Sequence, residues 1–192
     1  MRAAVFFDKD GTLVEDVPYN VDAGRIVLCA GAVSALKLLK AAGYVLVVVS
    51  NQPGVALGYF DEDAFASARK YLESLFESEG AALDGFYHCP HHPGGRIARY
   101  SIPCLCRKPL PGMLLRAAQE LEIDLQRSWM VGDILNDVEA GHRAGCRAIL
   151  VDNGNETEWD MSPLRSAEIS CPDLISAARS ILSRTAHERR QA

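Results

Sequence analysis

The sequence is short of several things, and each shortage removes a class of function. Its longest strongly apolar run, residues 44–49, falls far below the roughly 20 residues of a membrane-crossing helix, so no span is expected. The N-terminal apolar stretch is cut by Asp8, Lys9 and Asp10 before it reaches the length of a secretory signal core, which predicts a cytoplasmic protein. There is no excess of positive charge: 20 Lys+Arg against 25 Asp+Glu leave a net −5, which gives no long-range attraction for nucleic acid or an anionic membrane. Six cysteines in 192 residues are too few and too unevenly placed for a disulfide scaffold. No internal repeat or low-complexity tract is present. The length leaves no room for a second full domain beside a first of about 150 residues.

What is present alternates. Residues 3–7, 44–49, 129–131 and 147–151 read as buried strands by β-branched and aromatic content. Between them, apolar residues recur at helical spacing: Val33, Leu36 and Leu39; Phe65, Ala68, Leu72 and Phe76; then Leu114, Ala117 and Leu121 after Pro111, followed by 138–144 and 174–182. This predicts an α/β fold, a Rossmann-like parallel sheet flanked by helices on both faces. We expect one domain over 1–185, with 84–110 as an irregular loop and 186–192 as a frayed tail.

Ligands of such sheets bind outside the carboxyl ends of the strands, and the reactive residues fall there. Asp8 and Asp10 follow the first strand, Ser50, Asn51 and Gln52 the second, and Asp133 and Asp137 the third. An isolated Asp-Lys-Asp-Gly is more often an acidic turn, an isolated aspartate a helix cap, and an isolated Lys108 a solvated charge. Their shared address favours chemistry. Two carboxylates at one strand end suit covalent phosphoryl transfer, with Asp8 attacking phosphorus and Asp10 moving the proton of the leaving oxygen. The repulsion of a phosphate dianion calls for Mg²⁺ on carboxylate oxygens, for Lys108 beside the nucleophile, and for the Ser50 hydroxyl as a donor.

A second constellation lies at 89–106. Cys89, Cys104 and Cys106 with one imidazole make a closed tetrahedral Zn²⁺ set, and paired Cys-x-His and Cys-x-Cys elements let one loop wrap the ion. His91 and His92 compete for the fourth position. Free thiols in an exposed loop are the alternative, and one exposed to chemical attack. Cys29, Cys146 and Cys171 lack such spacing and read as small core residues.

Taken in order, DKDGT, SNQPG, RKP and GDxxxD make the chain resemble the haloacid dehalogenase superfamily of aspartate-nucleophile phosphatases, over nearly its whole length. The resemblance implies Asp8 as nucleophile, Asp10 as general acid/base, Ser50 as phosphate donor and Lys108 as charge stabiliser. It further implies Mg²⁺ on Asp8, the Asp10 backbone carbonyl and Asp133, with Asp137 in support. Within the superfamily, CPHHP and CxCRKPxPGM resemble the D-glycero-D-manno-heptose 1,7-bisphosphate 7-phosphatases, capless enzymes of nucleotide-activated heptose synthesis with a structural zinc loop. Related histidinol-phosphate phosphatases carry a shorter interval than the 12 residues between His91 and Cys104. The same resemblance places Asp16 and Tyr19 in a substrate loop, puts Asn51 and Gln52 beside the substrate, and makes Arg107 the reader of the remaining phosphate. It departs at Ile134, where a basic residue is common in those enzymes; the missing charge leaves the anomer open.

The expected partner is therefore a small sugar phosphate, bound by a monomer. Competing readings are a histidinol-phosphate or other small phosphomonoester phosphatase and, from another class, an inactive scaffold used as a zinc-loop binding module. Inactivation normally removes the nucleophile, which is present.

Overall fold

The computed structural model describes residues 1–191, the side chains of Arg189 and Gln191 aside. Six parallel strands form one sheet: β1 (Ala4–Phe7), β2 (Val45–Asn51), β3 (Gly85–Cys89), β4 (Trp129–Gly132), β5 (Arg147–Val151) and β6 (Ile169–Cys171), in the order β3-β2-β1-β4-β5-β6. The helices are α1 (Ala32–Ala41), α2 (Gly54–Leu57), α3 (Glu62–Ser78), α4 (Gly112–Leu121), α5 (Leu135–Ala144) and α6 (Leu174–Gln191). The order reverses between β1 and β4, so a crevice opens beyond their carboxyl ends.

Side chains alternate across the pleat and divide the core into two layers. Val5, Phe7, Leu46, Val48 and Val131 face α1, α3 and α6 through Leu36, Leu39, Leu72, Phe76 and Ile181. Ala4, Phe6, Val47, Val49 and Met130 face α4 and α5 through Leu114, Ala117 and Ala140. Both faces of the central strands are dry, which explains why β1 and β2 read as near-continuous apolar runs.

Two expectations change, and one strand is added. Residues 84–110 contribute β3, and 169–171 contribute β6; both are short outer strands with mixed burial, and neither carries an apolar run. The expected tail after Thr185 is helical, as α6 continues to Gln191, supported by a Glu188–Arg147 ion pair at 2.5 Å. No helix among the described residues is long and apolar enough to cross a membrane.

Candidate active site and metal centre

The turn after β1 is built around Gly11. Its φ of +77° lies in the left-handed region, and a Cβ there would stand 2.1 Å from the Asp133 carboxylate, so glycine both makes the turn and admits the neighbouring acid. Lys9 O accepts from Leu13 N and Val14 N, which closes the loop and leaves Asp8 and Asp10 at the crevice. At the end of β4, Gly132 admits the next acid: a Cβ there would meet Asp137 at 2.3 Å.

Lys108 is 2% exposed and sits between two acids, its Nζ 2.7 Å from Asp8 Oδ1 and 2.6 Å from Asp137 Oδ1, with a third bond of 2.9 Å to Val49 O. Burial alone favours its neutral form, yet the charges of Asp137 and Asp8 outweigh burial and hold the ammonium protonated. Asn51 fixes the backbone of this lysine reciprocally, donating from Nδ2 to Lys108 O (3.1 Å) and accepting at Oδ1 from Lys108 N (3.0 Å).

Asp133 accepts from Thr12 Oγ1 (2.9 Å) and Asn155 Nδ2 (2.7 Å). Burial first, then the charge of Asp8, raise its pKa to about 6. Asp137 is raised by burial to about 8 despite the opposing pull of Lys108, and its Oδ2 accepts from Ile134 N (3.3 Å) at the start of α5. Asp10 is raised above the ordinary range, again chiefly by burial, against the lowering effect of Lys9. Its carboxylate also accepts from Gln52 Nε2 (3.0 Å), which donates in turn to Ser50 Oγ (2.9 Å). Among the described residues no acceptor takes the Ser50 hydroxyl proton, which leaves it available to an incoming oxygen.

Asp8, Asp133 and Asp137 thus form one buried acidic group, their oxygens within 4.8 Å of one another, with a single lysine to balance three carboxylates. That charge deficit and the all-oxygen donor set fit Mg²⁺. The second group is soft. Cys89, His91, Cys104 and Cys106 converge with Sγ separations of 2.9, 3.2 and 3.5 Å, and His91 Nδ1 lies 3.3 Å from Cys106 Sγ. A zinc ion with bonds of about 2.3 Å to sulfur would spread these thiols only slightly, and the donor set fits it. Hydrogen bonding from Cys89 lowers the Cys106 thiol below its ordinary range. His92 turns away: its Nδ1 accepts from Gly94 N at 3.1 Å.

The residues expected on the substrate side differ in their surroundings. Asp16 and Tyr19 lie exposed on the loop after β1, and Tyr19 packs against Tyr59 with ring centroids 4.5 Å apart. Arg107 is half-buried, with Nη1 3.5 Å from His91 O. Thr12, Asn153 and Asn155 were not expected in the site. Asn153 donates to Gly11 O (2.7 Å), so the irregular chain after β5 braces both the turn that follows Asp8 and Asp133.

A family model for HAD-like hydrolases matches residues 105–177. A D-glycero-beta-D-manno-heptose-1,7-bisphosphate 7-phosphatase of Pasteurella multocida (strain Pm70) is 44% identical over 161 residues, 83% of this chain and 87% of that protein. The chain belongs to the HAD-like hydrolases. The similarly named protein of Escherichia coli (strain K12) is 38% identical over 170 residues, covering 84% and 89% of the two chains. Among solved structures, D,D-heptose 1.7-bisphosphate phosphatase from B. bronchiseptica, complexed with magnesium and phosphate, is 28% identical with a TM-score of 0.78, covering 96% of this chain and 99% of that one. As a HAD-like hydrolase, the chain carries its acidic group at the strand ends and a Cys/His cluster beside it.

Proposed function

We propose that this enzyme removes the 7-phosphate of D-glycero-D-manno-heptose 1,7-bisphosphate through an aspartyl-phosphate, in the cytosolic synthesis of nucleotide-activated heptose. The observation that carries the reading is Lys108 clamped between Asp8 and Asp137 at 2.7 and 2.6 Å, directly after a Cys/His cluster on the same loop. The names of the relatives supply the sugar. We read residues 1–185 as the one hydrolase domain, since all six strands share a sheet, and the working unit as a monomer, since a single chain furnishes the whole site.

In this reading an Asp8 oxygen attacks phosphorus, and Asp10 gives a proton to the departing sugar oxygen. The raised pKa of Asp10 supports that part, because burial favours the protonated carboxyl that a general acid uses. Asp10 then withdraws a proton from the water that attacks the acyl phosphate, which releases phosphate and restores Asp8. Lys108, 2.7 Å from Asp8, offsets charge on the phosphoryl oxygens, while the Ser50 hydroxyl donates to one of them. Mg²⁺, held by Asp8, the Asp10 carbonyl and Asp133, would supply the positive charge that lets a carboxylate approach a dianion. Asp137 orients Lys108. The zinc ligands Cys89, His91, Cys104 and Cys106 fix the loop that delivers Arg107 and Lys108. Asp16, Tyr19, Asn51, Gln52 and Arg107 border the sugar.

The test is phosphate release from both anomers of the heptose bisphosphate, histidinol phosphate and fructose bisphosphate. A kcat/KM for one heptose anomer well above all others is expected. Preference for histidinol phosphate would overturn the sugar assignment while leaving the phosphatase chemistry in place.

A further inference from the structure

A cavity of about 360 Å³ opens at the opposite end of the sheet, bordered by Arg2, Tyr44, Arg127, Arg147, Thr185 and Glu188 among others. Three arginines face one glutamate there, in a chain whose net charge is −5. Each arginine is rooted in fixed backbone. Arg2 lies between Arg2 N→Glu122 O (3.1 Å) and Asp124 N→Arg2 O (2.9 Å), Arg127 closes the helical turn Leu125–Arg127, and Arg147 begins β5 with its N–H on Ser128 O. The Arg147 guanidinium stacks on the Trp129 ring at 4.1 Å and gives Nη1 to Glu188 (2.5 Å), which sets its plane; its buried Nε–H has no protein acceptor. Among the described residues the guanidiniums of Arg2 and Arg127 have no acidic partner. Thr185 Oγ1 donates to Ile181 O (3.0 Å), so the hydroxyl of Tyr44, 2.6 Å away, donates to Thr185.

We propose that this cavity is a second binding site, distinct from the catalytic crevice, for a small molecule bearing a phosphate group. A planar, immobilised Arg147 with two further arginines of unneutralised charge matches the forked donor geometry that phosphate oxygens accept. The volume lies near the lower bound of ligand cavities, enough for a phosphate or a short phosphate ester and too small for a nucleotide chain.

Trp129 provides a local reporter. The protein has two tryptophans, and the other, Trp159, is exposed, so Trp159→Phe leaves Trp129 as the sole source of indole emission. Titrating Trp159→Phe with inorganic phosphate, and separately with a non-hydrolysable alkyl phosphonate standing in for an ester, should give a saturable change in emission. The tighter of the two tells free phosphate from ester as the occupant. Adding Arg2→Gln and Arg127→Gln, both exposed positions, should weaken the response at least tenfold with kcat and KM unchanged; Ser50→Ala should leave the response intact. Absence of a change, a change equally produced by chloride at matched ionic strength, or one insensitive to the two arginine substitutions would overturn the proposal.

Discussion

The carboxylate crevice and the sulfur loop lie side by side on one chain and are held together by opposite means. Asp8 and Asp133 follow strand ends, Asp137 lies in the first turn of α5 and Lys108 on the loop before α4; all four are almost completely buried and are held by protein hydrogen bonds and ion pairs. Cys104 and Cys106 sit in irregular chain and, with His91, find their nearest side-chain partners mainly in one another. The first region is preformed by the sheet and accepts a cation; the second takes its shape from the ion it would wrap. Loss of the hard cation should therefore silence the enzyme without loosening it, whereas loss of the soft one should loosen the loop first.

The strongest break of the comparison is Asp8→Asn. Activity should fall by about a thousandfold or more, because an amide neither attacks phosphorus nor carries charge. Far-UV circular dichroism and zinc content should stay at the parent values. Near-normal turnover in this variant would end the covalent mechanism.

Cys104→Ser attacks the other region. Purified protein should carry about one zinc per chain, and this variant substantially less, with new proteolytic cleavage within 92–104 and activity lowered through displacement of Lys108. If zinc is absent from the parent protein made with zinc available, the loop is organised by something else. A magnesium chelator should leave the same cleavage pattern unchanged.

Arg107→Ala tests how far the loop reaches into recognition. One charge-assisted hydrogen bond contributes about 1.5–3 kcal/mol, so kcat/KM for a bisphosphate should drop roughly ten- to a hundredfold, with much less effect on a monophosphate. Equal losses on both substrates would show that Arg107 only props the loop.

Asn155→Ala removes a brace of the carboxylate region; apparent Mg²⁺ affinity should weaken by about tenfold, read from the dependence of rate on Mg²⁺. The smallest effect is in the pH dependence of stability. Burial and Asp8 raise Asp133 from 3.8 to about 6, so the folded metal-free protein binds that proton more tightly than the unfolded chain does. Its stability must then fall as pH rises through that interval, with the full cost present above about 6. Mg²⁺ relieves this cost, so its gain in Tm should be largest near pH 8 and shrink towards pH 5. A gain independent of pH would place the cation away from Asp133.

Sequence legibility followed the same divide. β1, β2, β4 and β5 were readable because burial on both faces forces unbroken apolar runs, whereas Gly85–Cys89 and Ile169–Cys171 are outer strands whose mixed composition resembles loop. Asp8, Asp10, Ser50, Asp133 and Asp137 announced themselves by following strands, and the cysteines by spacing. Thr12, Asn153 and Asn155 did not, since a threonine in a turn and asparagines near a glycine are ordinary loop chemistry; only the tertiary fold brings Asn155 to Asp133 from 22 residues away. The choice between His91 and His92 likewise needed side-chain direction, which spacing cannot supply.

The paired bonds between the Asn51 carboxamide and the Lys108 backbone bear on how such enzymes diverge. An amide side chain that both gives and receives behaves as one additional rung of a β-ladder, so the lysine inherits its coordinates from β2. The stretch between His91 and Cys104, which is tied to Ala56 O rather than to Lys108, is consequently bypassed by the bonds that set the lysine. It can be lengthened, trimmed or rewritten to admit a different substrate without dragging the ammonium away from Asp8, which separates changes of specificity from the geometry of the acidic crevice.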